Sequence, residues 1–364
     1  MINLHPETDL YDIRPLLQLG IAKYRLSFST AVTIKAHALA ALLRSRLGYV
    51  LKGRFCLFQN YQTTSCEPCG MSSRCSYPVL FAPTGEHMEK ANIGSGRQQA
   101  TPPRPYALDV VAVRKDKMLL PDEKHEIELT LFGSRAVSFQ RPMLESLIHA
   151  TASVHKSRLD IPLGEKCPGD YPLTPIFWRG LIPEFRDDHW GFALKDEAFI
   201  VKNNMEHSLE RWLMAMPLPP LDRDSSGTPM LAINLRTPFQ LERAEKKLTL
   251  TCFLQSVFSR LRDLKRNYHT DNGMGNFSKQ FHTRADRVKT FCDVEKTSHT
   301  WYSYRQKRDV NIGGLEGSLM FMGNIEPFIP LIAAGFLVGV GRKVAYGLGW
   351  FGMGQYDLWQ DKKS

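Results

Sequence analysis

Thr249-Leu-Thr-Cys-Phe-Leu-Gln-Ser-Val-Phe-Ser-Arg-Leu-Arg-Asp-Leu-Lys-Arg-Asn-Tyr268 places Phe253, Leu254, Val257, Leu261 and Leu264 at helical spacing, with Arg260, Arg262, Lys265 and Arg266 elsewhere round the turn. That is the pattern of an amphipathic helix with one apolar face. Before it, Met230 to Arg236 is short, apolar and partly alternating, which predicts a strand. After it, His299 to Arg308 alternates and is rich in aromatics, and Leu315 to Gly323 follows Gly313-Gly314, so the two are expected to pair as a hairpin. Glu326 to Phe336 predicts a second, more apolar helix with Pro327 in its first turn, and Val344 to Met353 a closing strand. The resulting order, β-α-β-β-α-β, is the ferredoxin-like motif.

The first half of the chain repeats this order. Tyr24 to Thr33 alternates, Lys35 to Lys52 is an Ala- and Leu-rich helix, and Tyr106 to Arg114 with His125 to Phe132 form a central strand pair. Pro142 to Lys156 and Thr174 to Leu181 supply the second helix and last strand, while Pro183 to Met216 finds no clear place. Two stretches rich in Gly and Pro, Asn92 to Pro105 and Met216 to Pro229, read as loops or linkers. The second is taken as the boundary. The expected fold class is therefore α+β, with tandem ferredoxin-like domains over residues 1–228 and 229–364 and a cysteine-bearing insertion at about 53–80.

Composition limits what such a chain does. Its 364 residues are 43% hydrophobic and 23% charged, an ordinary globular balance. With 47 Lys and Arg against 37 Asp and Glu the net charge is +10, which suits a polyanionic partner. The longest apolar run, Phe328 to Val340, contains Pro330 and two glycines and falls short of the roughly 20 residues that span a bilayer. No membrane association is expected. The start, Met1-Ile-Asn-Leu-His, has neither a basic nor an apolar signal region, so a cytoplasmic protein is expected.

The most specific stretch is Gly335-Phe-Leu-Val-Gly-Val-Gly-Arg-Lys-Val-Ala-Tyr-Gly-Leu-Gly349. Its glycines, Gly339, Gly341, Gly347 and Gly349 among them, let backbone come close to a partner, and Arg342-Lys343 put two cations beside those amides. It is not a phosphate-binding P-loop, because it follows a helix and lacks the Gly-Lys-Ser/Thr ending. The plainer alternative is a glycine-rich turn near a sheet edge.

Several separated phrases resemble one family. They are Trp301-Tyr-Ser-Tyr-Arg-Gln306, Gly313-Gly-Leu-Glu-Gly317, Gly323-Asn-Ile-Glu-Pro-Phe-Ile-Pro-Leu-Ile332 and Val340-Gly-Arg-Lys-Val-Ala-Tyr-Gly-Leu-Gly349. Leu235-Arg-Thr-Pro-Phe239, Leu42 to Leu51 leading into Cys56, and Leu131-Phe-Gly133 fit too. Together they resemble the CRISPR repeat-processing endoribonucleases of the Cas-six type, in the RAMP superfamily, densely over 235–353 and in scattered fashion over 20–160. The resemblance implies tandem ferredoxin-like folds, a glycine-rich loop that holds RNA, and CRISPR repeat RNA or guide RNA as partner, with other effector-complex subunits as further candidates. It also implies an endoribonuclease. The alternative from another class is a non-catalytic RAMP subunit that holds guide RNA in an effector complex.

RNA self-cleavage defines which residues matter. The 2′-hydroxyl loses a proton as it attacks the adjacent phosphate, the 5′-oxygen gains one, and the product carries a 2′,3′-cyclic phosphate. A histidine titrating near neutrality, helped by Tyr, Lys or Arg, meets these needs without a catalytic metal. His37 is the first candidate. Arg44 lies about 20° and Lys52 about 60° round the helix from it, so the three share a broad face, and Tyr24 on the preceding strand is a candidate to join them. The resemblance implies a helix histidine with a tyrosine and a lysine nearby, which His37, Tyr24 and Lys52 match loosely. His37 also reads simply as a solvated polar residue of a first helical turn. His299 competes. In an alternating strand His299, Trp301, Ser303, Arg305 and Lys307 share one face, giving a histidine, a stacking surface and two cations; a half-buried hairpin is the alternative. His149 and His155 read as surface histidines.

Of seven cysteines, four cluster: Cys56, Cys66, Cys69 and Cys75. A CxxC step with two further thiols offers four soft ligands for tetrahedral, structural Zn²⁺, with unligated reduced thiols as the alternative. Cys167, Cys252 and Cys292 are isolated and read as packing residues.

Overall fold

The computed structural model describes residues 11–354 except 59, 62–64, 67, 84–101, 112–117, 122, 156–169, 171, 187–188, 196–205, 217–220, 241–247, 270–272, 274, 299 and 304–307. In the N-terminal half, β1 (Gly20–Thr30) leads into α1 (Ala36–Phe55), and after α2 (Ser76–Phe81) come β2 (Tyr106–Val111), β3 (Lys124–Phe132), α3 (Gln140–Ala152) and β4 (Leu173–Arg186). The strands pair antiparallel in the order β2-β3-β1-β4, with β5 (His189–Lys195) added as a hairpin partner of β4. Relative to the motif's own strands this is 2-3-1-4, the ferredoxin-like sheet. Alternation along β1 decides its faces. Ala22, Tyr24, Leu26 and Phe28 enter the core under α1 and α3, while Lys23, Arg25 and Ser27 point to the opposite face.

The C-terminal half runs β6 (Pro229–Phe239), α4 (Leu250–Tyr268), β7 (Lys289–Thr297), β8 (Thr300–Ser303), β9 (Arg308–Asn311), β10 (Gly314–Met322), α5 (Ile329–Val338) and β11 (Phe351–Met353). Its sheet order is β11-β6-β10-β7, again the ferredoxin-like arrangement, and the short strand Asp222–Arg223 pairs antiparallel with Pro229 and Met230 at the start of β6. Thr249 caps α4 by accepting the Cys252 amide, and the apolar stripe of that helix packs into the second core. Helix α5 is apolar all round because it is buried all round, from Pro330 to Val338.

Three sequence expectations are corrected. The second strand of the C-terminal domain is Lys289–Thr297, not His299 to Arg308; residues 300–303 and 308–311 form a separate two-stranded hairpin between β7 and β10. Of the expected strand Val344 to Met353 only Phe351–Met353 is extended, because Val344–Tyr346 forms a 3-10 turn. The stretch Pro183 to Met216 supplies the rest of β4, then β5, the short strand His207–Ser208 and the helix Leu209–Met214. That helix packs between the two halves: Trp212 and Leu213 share a cluster with residues of α4 and α5 and with Ile21, Phe132 and Leu181 of the first sheet, and Trp212 Nε1 donates to the Ile21 carbonyl at 3.3 Å. Among the described residues no helix is long and apolar enough to cross a membrane.

Candidate nucleic-acid interface

Helix α5 ends at Gly339, whose φ of 73° turns the chain into the glycine-rich loop. The loop's glycines are demanded by protein neighbours. A Cβ on Gly347, at φ 83°, would stand 2.5 Å from the Ala40 Cβ of α1, and one on Gly349, at φ 75°, would run into the Val340 carbonyl. Several amides are also spent internally: Val340 donates to Gly349 (2.9 Å), Arg342 to Gln240 (2.9 Å) and Gly349 to Pro238 (3.0 Å). The structure thus gives these glycines a packing role that the sequence reading had assigned to ligand approach. What the apex presents outward is cationic. Arg342 is exposed, and Lys343, in the left-handed region at φ 61°, sends its Nζ to the Asn311 carbonyl. Burial, then the neighbouring Arg342 charge, lowers the Lys343 pKa from its usual value.

The loop reaches across to the N-terminal domain. Tyr346 and Leu348 bury with Ala41 of α1 and Ile312 in one small cluster, and the Arg44 guanidinium lies 3.8 Å from the centre of the Tyr346 ring. Loop, hairpin base and helix α1 meet at this point. His37 lies in the first turn of α1, one turn before Ala40 and Ala41, so its backbone stands beside the loop. Its side chain, and that of Trp301, lie outside the described residues, as do His299, Arg305 and Lys307 altogether.

Three expected members stand elsewhere. Arg44 is only 8% exposed and stacks between the domains instead of facing solvent. Tyr24 is 1% exposed in the N-terminal core, where its hydroxyl donates to Gln140 Oε1 of α3; burial, with Glu206, raises its pKa. Lys52 shares a face with His37 but lies fifteen residues on, about 22 Å along the axis, with its Nζ 5.3 Å from the Tyr77 ring. Cys56, Cys66, Cys69 and Cys75 are all half-buried free thiols between α1 and α2.

The sequence reading missed a buried charge cluster. On the sheet face opposite α1, Lys23 Nζ lies 3.1 Å from Glu128, and Arg25 lies 3.2 Å from Glu126 and 2.5 Å from Glu128. Burial alone would raise the Glu128 pKa, but Lys23 and Arg25 hold it down to about 2. Beside it Asp109, whose pKa burial raises, accepts from Arg236 of β6 at 3.0 Å, an ion pair between the two sheets. Trp350 Nε1 donates to the Leu108 carbonyl at 3.1 Å, a second bond across the same seam. The sequence signal was available in the alternation of Lys23 and Arg25 on one strand against Glu126 and Glu128 on its partner.

Two ferredoxin-like folds in tandem meet through a glycine-rich loop after the last helix. Residues 233–351 match the family of the CRISPR-associated endoribonuclease Cas6. Residues 17–159 match a second family described as an N-terminal domain, AF_1859_N. Among solved structures, a Cas6 product complex is 13% identical over 92% of this chain and 99% of its own, with a TM-score of 0.41. Thermus thermophilus Cas6 is 12% identical over 92% and 98%, with a TM-score of 0.40. A Cas6-related protein from Pyrococcus furiosus is 10% identical over 92% and 99%, with a TM-score of 0.39. No curated protein matches the chain.

Proposed function

We propose that this protein binds CRISPR precursor RNA and cleaves it within the repeat by 2′-hydroxyl attack, leaving a 2′,3′-cyclic phosphate on the product. The observation that carries this reading is the packing of the glycine-rich loop on α1 one turn from His37, with Gly347 against Ala40. It draws a cationic loop apex and a histidine-bearing helix turn to the same edge of the molecule. Arg342 and Lys343 then hold the phosphates, and His37 moves the proton of the nucleophile or of the leaving group. The ribose supplies the nucleophile itself, so the chemistry asks for no catalytic metal. The partners this assigns are repeat RNA as substrate and guide RNA as product.

The test uses the repeat RNA of the protein's own CRISPR locus. His37→Ala is expected to slow single-turnover cleavage by about 10² to 10⁴ with little change in affinity, because proton transfer matters in the transition state and hardly in the ground state. A repeat with deoxyribose immediately 5′ of the scissile phosphate is expected to bind and stay intact. Cleavage of that substrate excludes 2′-hydroxyl attack. Binding without cleavage by the wild-type protein replaces the nuclease with a guide-holding subunit, and normal cleavage by His37→Ala with loss in His299→Ala moves the proton transfer to the C-terminal domain.

A further inference from the structure

We propose that the segment between α1 and α2 is a structural zinc site formed by the thiolates of Cys56, Cys66, Cys69 and Cys75. The argument begins from what this segment lacks. Among its described residues from 56 to 75 none is buried, none joins a core cluster, and Leu57 and Phe58 are 83% and 49% exposed. A stretch of this length without a core of its own cannot recover the conformational entropy of being ordered, unless something cross-links it. The cysteines are the groups placed to do so.

Each one sits at a fixed point of the backbone. Cys56 terminates α1, with its amide bonded to the Lys52 carbonyl at 2.9 Å, and Cys75 is the residue from which α2 starts. Between them the Cys69 amide donates to the Cys66 carbonyl at 3.2 Å and the Ser72 amide to the Cys69 carbonyl at 2.9 Å, two successive turns that fold the CxxC step back on itself. Among the described residues no three such side chains already stand in a metal-holding arrangement, so the four thiols close on the ion as it binds.

The donor set selects the ion. Four thiolates around a divalent ion suit tetrahedral zinc, and a closed site of this kind has no position for water, which makes it structural rather than catalytic. A tetrathiolate zinc centre is an anion of charge about −2. Lys52, whose carbonyl accepts the Cys56 amide at 2.9 Å and whose Nζ stands 5.3 Å from the ring of Tyr77, two residues past Cys75, is the cation placed to offset it. Arg135 adds a tether from outside the segment by donating to the Ser73 carbonyl at 3.2 Å.

Metal content of the full chain, purified without chelators, tests the proposal independently of RNA cleavage. About one zinc per chain is expected, released stoichiometrically when a mercurial blocks the thiols in the presence of a chromogenic zinc indicator. Cys66→Ser is expected to lose the zinc and melt at lower temperature, while Cys292→Ser keeps both. Should Cys66→Ser fail to fold, the wild-type zinc content and its release still decide. Absence of zinc while all seven cysteines of the chain titrate as thiols overturns the proposal, as do disulfides among the four clustered cysteines, or iron with visible absorption in place of zinc.

Discussion

Arg342 and Lys343 occupy neighbouring positions, yet their surroundings differ. Arg342 is exposed, with its backbone amide already committed to Gln240 (2.9 Å), whereas Lys343 is half-buried and bonded to the Asn311 carbonyl. Arg342 is therefore ready for a phosphate, and Lys343 must give up a contact to reach one. Each residue that neutralises a phosphate contributes about one counterion to the salt dependence of affinity. Arg342→Ala is expected to reduce the slope of log affinity against log salt by up to about one unit, and Lys343→Ala by less, measured by filter binding across a salt series. Equal slopes for both variants and wild type would take the loop apex out of the RNA interface. Legibility at this scale was uneven for a physical reason. A helical wheel reports angle and not distance along the axis, so Lys52 looked like a neighbour of His37 while standing about 22 Å away. Tyr24 lies in the core because alternation along β1 places it on the face that α1 and α3 cover.

Elements were legible wherever burial imposed a period. Thr249 to Tyr268 shows its apolar stripe because one face of α4 meets the second core, and the helix runs from Leu250 with Thr249 as its N-cap, one residue inside the expected start. Lys289–Thr297 gives no such signal: it is the edge strand of its sheet, mostly exposed on both faces, and reads as polar coil. The aromatic run after it attracted the strand assignment instead. The junction of the glycine-rich loop with α1 was invisible for a different reason, since it depends on two small residues, Ala40 and Gly347, from opposite halves of the chain. That junction makes its own prediction. Gly347→Ala must accept φ 83° and a Cβ 2.5 Å from that of Ala40, at a combined cost of about 1–3 kcal/mol. The loop is then expected to lift from α1, with single-turnover cleavage falling by more than about tenfold. Pairing it with Ala40→Gly returns the space although not the φ, so the double variant is expected to cleave faster than Gly347→Ala alone. A double-mutant cycle with no coupling would separate the loop from the helix.

At the scale of the whole molecule, the two sheets meet over charge as well as over apolar side chains. The first core cluster already crosses the boundary, uniting Ile21, Phe132 and Leu181 with Phe239, Phe253 and Leu331. Along the same seam Arg236 of β6 reaches Asp109 of β2, one residue from the Leu108 carbonyl that Trp350 holds, and Asp109 pairs in register with Glu128. The seam is thereby tied to a buried cluster whose centre is Glu128. A carboxyl held at about 2 in the folded chain, against 4.5 ordinarily, binds its proton more weakly folded than unfolded. Its contribution to stability is therefore fully present above about pH 4.5 and is lost as the pH falls towards 2. Asp109, with its pKa raised by burial, acts with the opposite sign, gaining stability as it takes up its proton. Glu128→Gln separates the two. At pH 7 it leaves Lys23 and Arg25 buried beside a neutral amide and is expected to cost about 3–5 kcal/mol. Between pH 4.5 and 2 the wild-type carboxyl loses the same charge, so the two unfolding curves are expected to converge, measured by denaturant titration at a series of pH values. A stability difference that stays constant down to pH 2 would mean that Glu128 is not the charge on which the Lys23 and Arg25 pairs depend.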